Sequence, residues 1–239
     1  MRSDTTPAPE RDLAAIWEAT LERVDVLLRS LPDGCGNEPL PTVPGATVRD
    51  GVAHLARALA ALGSAPLTLP SPGTAQSALT DLIADVDAAA DSARPYLRDP
   101  SVASALVTAI TMAEHDLRTV VNTPGARDDV AIKVALDELA GRFSDRVSAA
   151  GLPALRVTVE QWGTIAGNGR ATSCVVADRF EFVRAMAGRR SASEIRRWNW
   201  GVEPDIYLPV MSEVGLPHNE IRERDPRIPE HMQDREFVL

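Results

Sequence analysis

Residues 180–195 read FEFVRAMAGRRSASEI, and this stretch indicates how the C-terminal part of the chain folds. Its apolar residues recur at helical spacing, so a helix is predicted over Phe180 to Gly188. Ser191, followed three residues later by Glu194, is a capping box that begins another helix. Upstream, Leu155 to Val159 alternates apolar and polar residues with a period of two, which is typical of a half-buried strand.

The segments after this strand predict the rest of a small α+β domain. Trp162 to Ala166 and Ala171 to Val176 are two further strand candidates. The Gly-Asn-Gly run between them predicts a hairpin that turns at Asn168-Gly169. We expect the domain to span residues 151–216. Residues 217–239 are rich in charge and proline, which predicts an extended or partly disordered tail.

The first 150 residues predict a bundle of helices. The stretch VPGATVRDGVAHL at residues 43–55 contains a second capping box, in which Thr47 and Asp50 begin a helix. Further apolar stripes recur every three or four residues between segments rich in proline and glycine, and Ser101 is the expected cap of the fourth helix. Four or five helices joined in this way are typical of an up-down bundle, expected over residues 8–150. The predicted fold class is therefore α+β.

Composition narrows the classes of function. The net charge of −9 argues against a nucleic-acid partner, because phosphate binding requires a concentrated basic surface. Neither a signal peptide nor a long apolar run is present, so no membrane partner is expected. The 2 cysteines form no disulfide framework, which favours a reduced, cytoplasmic location. Lys133 is the one lysine among 25 basic residues; together with the many alanines this indicates a GC-rich, actinobacterial source.

Together, residues 43–55 and 180–195 resemble the two signature segments of the mycothiol-dependent maleylpyruvate isomerase family. The resemblance extends over roughly residues 10 to 216. It implies a DinB-like, metal-binding helical bundle joined to an α+β C-terminal domain. It also implies a thiol-dependent isomerase or transferase that uses mycothiol, acting on a small molecule in a pocket between the two parts.

The resemblance implies that His54 is a metal ligand, whereas its helical position alone favours a structural histidine. The family's other two ligands are a Glu and a His four residues apart, with an Asp three residues after the His. When Asp116 is aligned with that Asp, the two ligand positions fall on Ala109 and Ala113. A single imidazole does not hold zinc, which takes about three protein ligands at a catalytic site. Zinc is therefore not expected, unless a rebuilt site exists.

The candidate replacement ligands for such a site are Glu114, His115 and Asp116. Helix geometry turns His115 away from the ligand face if the alignment is right. Glu114 and Asp116 have the same difficulty to a smaller degree. These side chains are more simply explained by polar contacts between helices, with Arg118 and Arg127 as candidate partners.

Arg189 is the candidate catalytic residue, because it matches an arginine that serves activity in the family's C-terminal segment. A guanidinium there would grip a carboxylate of the substrate or of the thiol cofactor. The alternative is that Arg189, with Arg184 and Arg190, forms an ordinary basic helix end. Cys35 and Cys174 have no histidine nearby in sequence, so neither is expected to be a nucleophile.

Two functions of different classes remain. The first is a mycothiol-dependent enzyme in which a metal lowers the pKa of the thiol. The alternative is a metal-free binding module, a pseudoenzyme that holds a small molecule or a protein partner. Ala109 and Ala113 favour the second, whereas the family resemblance favours the first. A metal-independent catalyst that reuses the pocket is a third possibility. The substrate and the oligomeric state are not predicted.

Overall fold

The computed structural model describes residues 11–61, 68–73 and 76–229, and its fold is α+β, as predicted. Five long helices come first: α1 (Leu13–Arg29), α2 (Val48–Ala60), α3 (Leu79–Ala93), α4 (Pro100–Val120) and α5 (Val130–Ala149). Strands and short helices follow: β1 (Leu155–Val159), β2 (Trp162–Ala166), β3 (Ser173–Ala177), α6 (Arg179–Met186), α7 (Ala192–Arg196), β4 (Asn199–Trp200) and α8 (Leu208–Met211). No helix among these residues is long and apolar enough to cross a membrane.

Side-chain caps fix the starts of most of these helices. Both predicted capping boxes are confirmed, at Thr47 for α2 and at Ser191 for α7. The expected cap of α4 was wrong. Asp99, rather than Ser101, caps this helix, and its carboxylate accepts a hydrogen bond of 2.9 Å from the Ser101 N–H. Pro100 accounts for the shift, since proline is tolerated at the first helical position.

The helix α4 lies at the centre of the bundle, where it packs against α1, α2 and α5. One apolar cluster fills the space between α1, α2, α3 and α4. Its most deeply buried members include Trp17, Val24, Leu59, Leu106 and Ile110. Burial of this apolar surface is the main force that holds the bundle together.

The strands form a four-stranded mixed sheet with the order β2-β1-β3-β4. The strand prediction for Leu155–Val159 is confirmed, but the hairpin predicted at Asn168-Gly169 is wrong. The tight turn instead joins β1 to β2, where Glu160 adopts φ 52°. The chain then crosses β1 and adds β3 parallel to it.

Gly167 explains why a glycine-rich segment occurs where there is no hairpin. It has φ 90°, and its N–H donates to Ser144 Oγ of α5 at 3.0 Å. A Cβ at this position would lie 2.7 Å from Val147 Cγ1. The glycine is therefore needed where the crossing chain passes close to α5.

A second apolar cluster packs the sheet and α6 against α5, with Phe143, Leu155, Val157 and Phe182 fully buried. The helix α5 contributes side chains to both clusters, so it is shared between the bundle and the sheet. Near Gly151 the spacing of apolar residues thus changes from a helical to a strand pattern, but α5 packs against the elements on both sides of this change. The division into domains at this residue stays a prediction.

Residues 217–229, called here the tail, contain neither helix nor strand, in agreement with the extended conformation predicted for them. They are nevertheless fixed to the body of the molecule: Ile221 is buried, and the Glu223 side chain is 5% exposed. The alternative prediction, partial disorder of the tail, stays a prediction. Residues 230–239, the rest of the predicted tail, lie outside the described residues.

Candidate functional site

A cavity of about 320 Å³ lies between α2 and α4, and we call it the α2–α4 cavity. Its wall is mainly apolar, with residues from α2, α4, α5 and the turn after α6. The described lining residues are Leu40, Val48, Gly51, Val52, His54, Leu55, Arg57, Ala58, Ala61, Thr68, Pro70, Ala105, Thr108, Ala109, Met112, Ala113, Asp116, Leu117, Leu139, Arg142 and Arg189. A small number of polar groups in an apolar wall is typical of ligand pockets.

Small residues on the facing helices create the space. Ala58 and Ala61 line the cavity from α2 and its C-cap, and Ala109 and Ala113 line it from α4. His54 lies among them on α2. The alignment places the three expected ligand positions at His54, Ala109 and Ala113. These three residues line one cavity, but the alignment assigns no role to them.

His54 is only partly buried, and its imidazole is uncharged at neutral pH. Burial lowers the pKa of His54 to about 4, and the positive charges of Arg189 and Arg57 act in the same direction. Asp116 and a hydrogen bond to the Thr68 backbone oppose this shift. A histidine with so low a pKa is a weak base, so it offers hydrogen bonding rather than efficient proton abstraction.

Arg189 and Asp116 form the polar end of the cavity. Arg189 Nη2 donates to Asp116 Oδ2 at 2.9 Å, and its Nη1 donates to the carbonyl of Ala187 at 2.6 Å. Gly188 makes this placement possible, because it has φ 75° and a Cβ there would lie 2.5 Å from Val214 Cγ2. The Arg189 Nε is buried and has no hydrogen-bond partner among the described residues.

Asp116 is ionised because two arginines share it. Arg184 Nη2 donates to the other carboxylate oxygen, Oδ1, at 2.6 Å. Burial raises the pKa of Asp116, but the charges of Arg189 and Arg184 outweigh burial and hold that pKa far below its usual range. The carboxylate thus has both oxygens engaged and little capacity for another cation.

Behind Asp116, the ion pairs continue into the tail. Arg184 Nε donates to Glu223 Oε2 at 2.8 Å, and Arg190 Nη1 donates to the same oxygen at 2.7 Å. Arg190 and Arg127 both pair with Glu181. The arginines at the end of α6 are therefore buried and paired with carboxylates, so they are more than the ordinary basic helix end considered from the sequence.

The candidate replacement ligands do not converge on His54. Glu114 accepts hydrogen bonds from Arg23 at 2.8 Å and from Arg118 at 2.7 Å, in agreement with the Arg118 contact anticipated above. His115 faces a different cleft. Asp116 lines the cavity but is engaged by two arginines.

The donor set around His54 therefore does not fit zinc. Ala109 and Ala113 offer no lone pair, and the described residues contain no group of three His, Cys, Asp or Glu placed to hold a metal ion. Zinc sites bring about three or four such donors to within about 2.0–2.3 Å of the ion. No chemical step through a metal is derived for this cavity.

The two cysteines are free thiols and do not line the cavity. Cys35 is buried in a short turn between α1 and α2, and burial raises the pKa of its thiol. Cys174 lies in β3. A raised pKa lowers the thiolate fraction of Cys35 and so makes it a weaker nucleophile.

Sequence reasoning missed the roles of Thr108, Arg142 and Glu223. Thr108 and Arg142 line the cavity, and Glu223 completes the ion-pair chain behind it. Helical spacing offers a signal for Thr108, which lies next to Ala109 and one turn from Met112. For Glu223 the sequence holds no such signal, because its partners lie far away along the chain.

The fold and the cavity define an α+β protein with a pocket large enough for a small molecule. A solved structure described as a mutant of the mycothiol-dependent maleylpyruvate isomerase is similar, with a TM-score of 0.47 and 17% sequence identity. The alignment covers 80% of this chain and 93% of that chain. Likeness at this level says nothing about the activity of this chain. No family model matches the sequence, and no curated protein matches it.

Proposed function

We propose that this protein binds a small, largely apolar molecule that carries an anionic group in the α2–α4 cavity. The observation that supports this most directly is the buried Arg189 guanidinium at the polar end of a mainly apolar cavity of about 320 Å³. A ligand of this type would place its apolar body between the alanines of α2 and α4. Its anionic group would face Arg189.

The charges around the cavity favour an anion over a cation. Arg57, Arg142 and Arg189 line it, and Asp116 is the one carboxylate among the described lining residues. Asp116 is already matched by two guanidinium groups. Arg189 uses two contacts, to Asp116 and to Ala187, so N–H donors remain for a carboxylate or a similar group.

Neutral His54 suits the same ligand. An uncharged imidazole can donate one hydrogen bond and accept another. It therefore contributes selectivity for a ligand with a polar atom part of the way along its body. Its low pKa makes it a poor general base at neutral pH, which supports a binding role.

The proposal is tested with a matched pair of ligands, benzoate and benzamide, by isothermal titration calorimetry. We expect benzoate to bind and benzamide to bind at least tenfold more weakly, since hydrogen bonds to charged groups contribute about 1.5–3 kcal/mol. Ala109→Leu, which fills the cavity, should abolish binding. Ala88→Leu on the exposed face of α3 is the control and should leave binding unchanged.

Equal affinity for the acid and the amide would contradict the anionic assignment. Because Arg189 is buried, Arg189→Gln is compared with Arg189→Lys, and melting temperatures identify any loss of fold. If Arg189→Lys folds and keeps part of the benzoate affinity while Arg189→Gln folds and loses it, the contact is electrostatic. Unchanged binding in a folded Arg189→Gln protein would overturn its role.

The second candidate function is a thiol-dependent isomerase or transferase that uses mycothiol. It is favoured because His54 and Arg189, which come from the two segments that carry the sequence resemblance, line the same cavity. The test is conversion of maleylpyruvate with mycothiol present, compared with the reaction without the thiol. Turnover that requires mycothiol and is lost in Arg189→Gln would support this function over simple binding.

A further inference from the structure

A second, smaller cleft lies on the other side of α4, between that helix and the tail. It has a volume of about 120 Å³, and we call it the α4–tail cleft. Its lining comes from α4, from the loop between α4 and α5, from Phe180 and from the tail; the residues are His115, Arg118, Thr119, Asn122, Pro124, Gly125, Arg127, Phe180, Arg222, Glu223 and Arg224. At about 30 Å³ per water, this space equals about four water molecules.

The lining is strongly basic although the chain carries a net charge of −9. Arg118, Arg127, Arg222 and Arg224 line the cleft, against a single carboxylate, Glu223. Glu223 is bonded through both oxygens to Arg184. Carboxylates beside the cleft pair with three of these arginines. Each guanidinium carries five N–H donors, so the cleft still offers N–H donors to an anion.

Two of these arginines are held in place by the fold. The Arg127 guanidinium lies 4.1 Å from the centre of the Phe180 ring and donates to the Glu223 carbonyl at 2.6 Å. Arg118 is fixed by Glu114 and by the carbonyl of Thr123 at 3.0 Å. Fixed donors lose less entropy when they bind an anion.

His115 supplies an independent indication of a ligand. It is 3% exposed, and its ring packs edge-on against Phe180 with 4.7 Å between the ring centres. Its Nε2 is buried and has no hydrogen-bond partner among the described residues. A buried polar atom without a hydrogen-bond partner is destabilising, so such atoms usually have a partner.

We propose that the α4–tail cleft binds a phosphate group, with Arg222, Arg118 and His115 as the residues that contact it. The volume suits one tetrahedral oxyanion, and arginine is the side chain best matched to phosphate. The source is either inorganic phosphate or the terminal phosphate of a small metabolite. This site is separate from the α2–α4 cavity, and the inference does not depend on the function proposed for that cavity.

Each of the two sites contains its own histidine, which gives a direct test by proton NMR. The chain has 4 histidines, and His115→Phe and His54→Gln assign the two relevant imidazole signals. We expect inorganic phosphate, titrated at low salt, to shift the His115 signal and to leave His54 unchanged. Sodium chloride at equal ionic strength is the control for general screening.

Phenyl phosphate distinguishes the two sources. If it shifts the same His115 signal at lower concentration than inorganic phosphate, the natural ligand is a phosphate ester; the reverse order indicates the free ion. Arg222→Gln should weaken phosphate binding by about tenfold, since one charge-assisted contact is lost. Arg222 is exposed, so this variant is not expected to disturb the fold.

Arg196→Gln is the matched control, because Arg196 is an exposed arginine that lies outside the cleft and pairs with Asp205. It should bind phosphate like the wild-type protein. An equal loss in both variants would show that only the overall charge matters and would overturn the proposal. A shift of His54 instead of His115, or no shift of either signal, would overturn it as well.

Discussion

The two carboxylate oxygens of Asp116 link the polar end of the α2–α4 cavity to the ion pairs of the tail. One oxygen binds Arg189 at the polar end of the cavity, and the other binds Arg184, which is held by the tail. Removal of one partner from such a buried arrangement leaves an uncompensated charge, which costs about 3–5 kcal/mol. The orientation of Arg189 therefore depends in part on Arg184 and the tail, which do not line the α2–α4 cavity.

The first prediction concerns zinc. Because Ala109 and Ala113 share the cavity with His54 but offer no lone pair, the protein should purify with well under one equivalent of zinc. Chelators should leave its melting temperature unchanged. The double substitution Ala109→Glu with Ala113→His should create zinc binding, as measured by elemental analysis. Stoichiometric zinc in the wild-type protein would show that this interpretation of the cavity is wrong.

The second prediction concerns pH. Burial lowers the folded-state pKa of both His54 and His115 below 6.5, so the unfolded chain takes up protons first as the pH falls. The contribution of His54 to stability is present above pH 6.5 and is lost as the pH falls towards about 4, and that of His115 is likewise lost as the pH falls below 6.5. Urea unfolding should show a falling free energy of unfolding over this range. His54→Gln should flatten the profile; an unchanged profile would contradict the assignment.

A further loss of stability is expected at lower pH, where the free energy of unfolding again falls as the pH falls. The charges of Arg190 and Arg127 overcome burial and lower the pKa of Glu181 to about 2, below its usual 4.5. The stabilisation is therefore complete above pH 4.5 and is lost as the pH falls towards 2. Glu181→Gln should remove this part of the acid dependence, as measured by the same unfolding experiment.

At the scale of elements, the tail is the feature with the clearest consequence. Glu223 Oε2 accepts hydrogen bonds from Arg184 at 2.8 Å and from Arg190 at 2.7 Å, and the Glu223 side chain is largely buried. We predict that Glu223→Gln lowers the free energy of unfolding by about 3 kcal/mol. The control is Glu220→Gln, whose exposed pair with Arg197 should contribute less than about 1 kcal/mol. Equal effects would contradict the structural role of Glu223.

The elements that could be predicted from the sequence are those with a local signal. The capping boxes at Thr47 and Ser191 identify helix starts, and the alternation in Leu155–Val159 identifies a strand, because each signal lies within a few residues. The pairing of strands is not local. The turn at Glu160 contains no glycine, and Gly167, one of the two glycines that suggested a hairpin, serves the close passage of the chain past α5.

The residues of the candidate site could likewise be predicted from the sequence only in part. The sequence resemblance pointed to His54 and Arg189, and both line the α2–α4 cavity. The partners Asp116 and Glu223 could not be paired with the arginines from the sequence, since such contacts join residues that are distant along the chain. Charge alone does not specify them, because the chain has 25 basic and 34 acidic residues.

At the scale of the whole molecule, α5 belongs to the core of the bundle and to the core of the sheet. We predict that the two parts unfold in one cooperative transition rather than as separate domains. Trp17 lies in the bundle, and the other 3 of the 4 tryptophans lie in the sheet or directly before its last strand. Fluorescence of a Trp17→Phe variant should therefore follow the same denaturation curve as far-UV circular dichroism. Two separate midpoints would support independent domains.

The chain of ion pairs also restricts how this protein can change during evolution. Asp116, Arg184 and Glu223 depend on one another, so a lineage that loses one charge retains the others at a cost of several kcal/mol. Neutral drift at these positions should therefore proceed by compensated pairs, in which an acidic and a basic residue are exchanged for apolar ones together. Among natural relatives, substitutions at positions 116, 184 and 223 should covary. Exposed pairs such as Glu220 with Arg197 should drift independently.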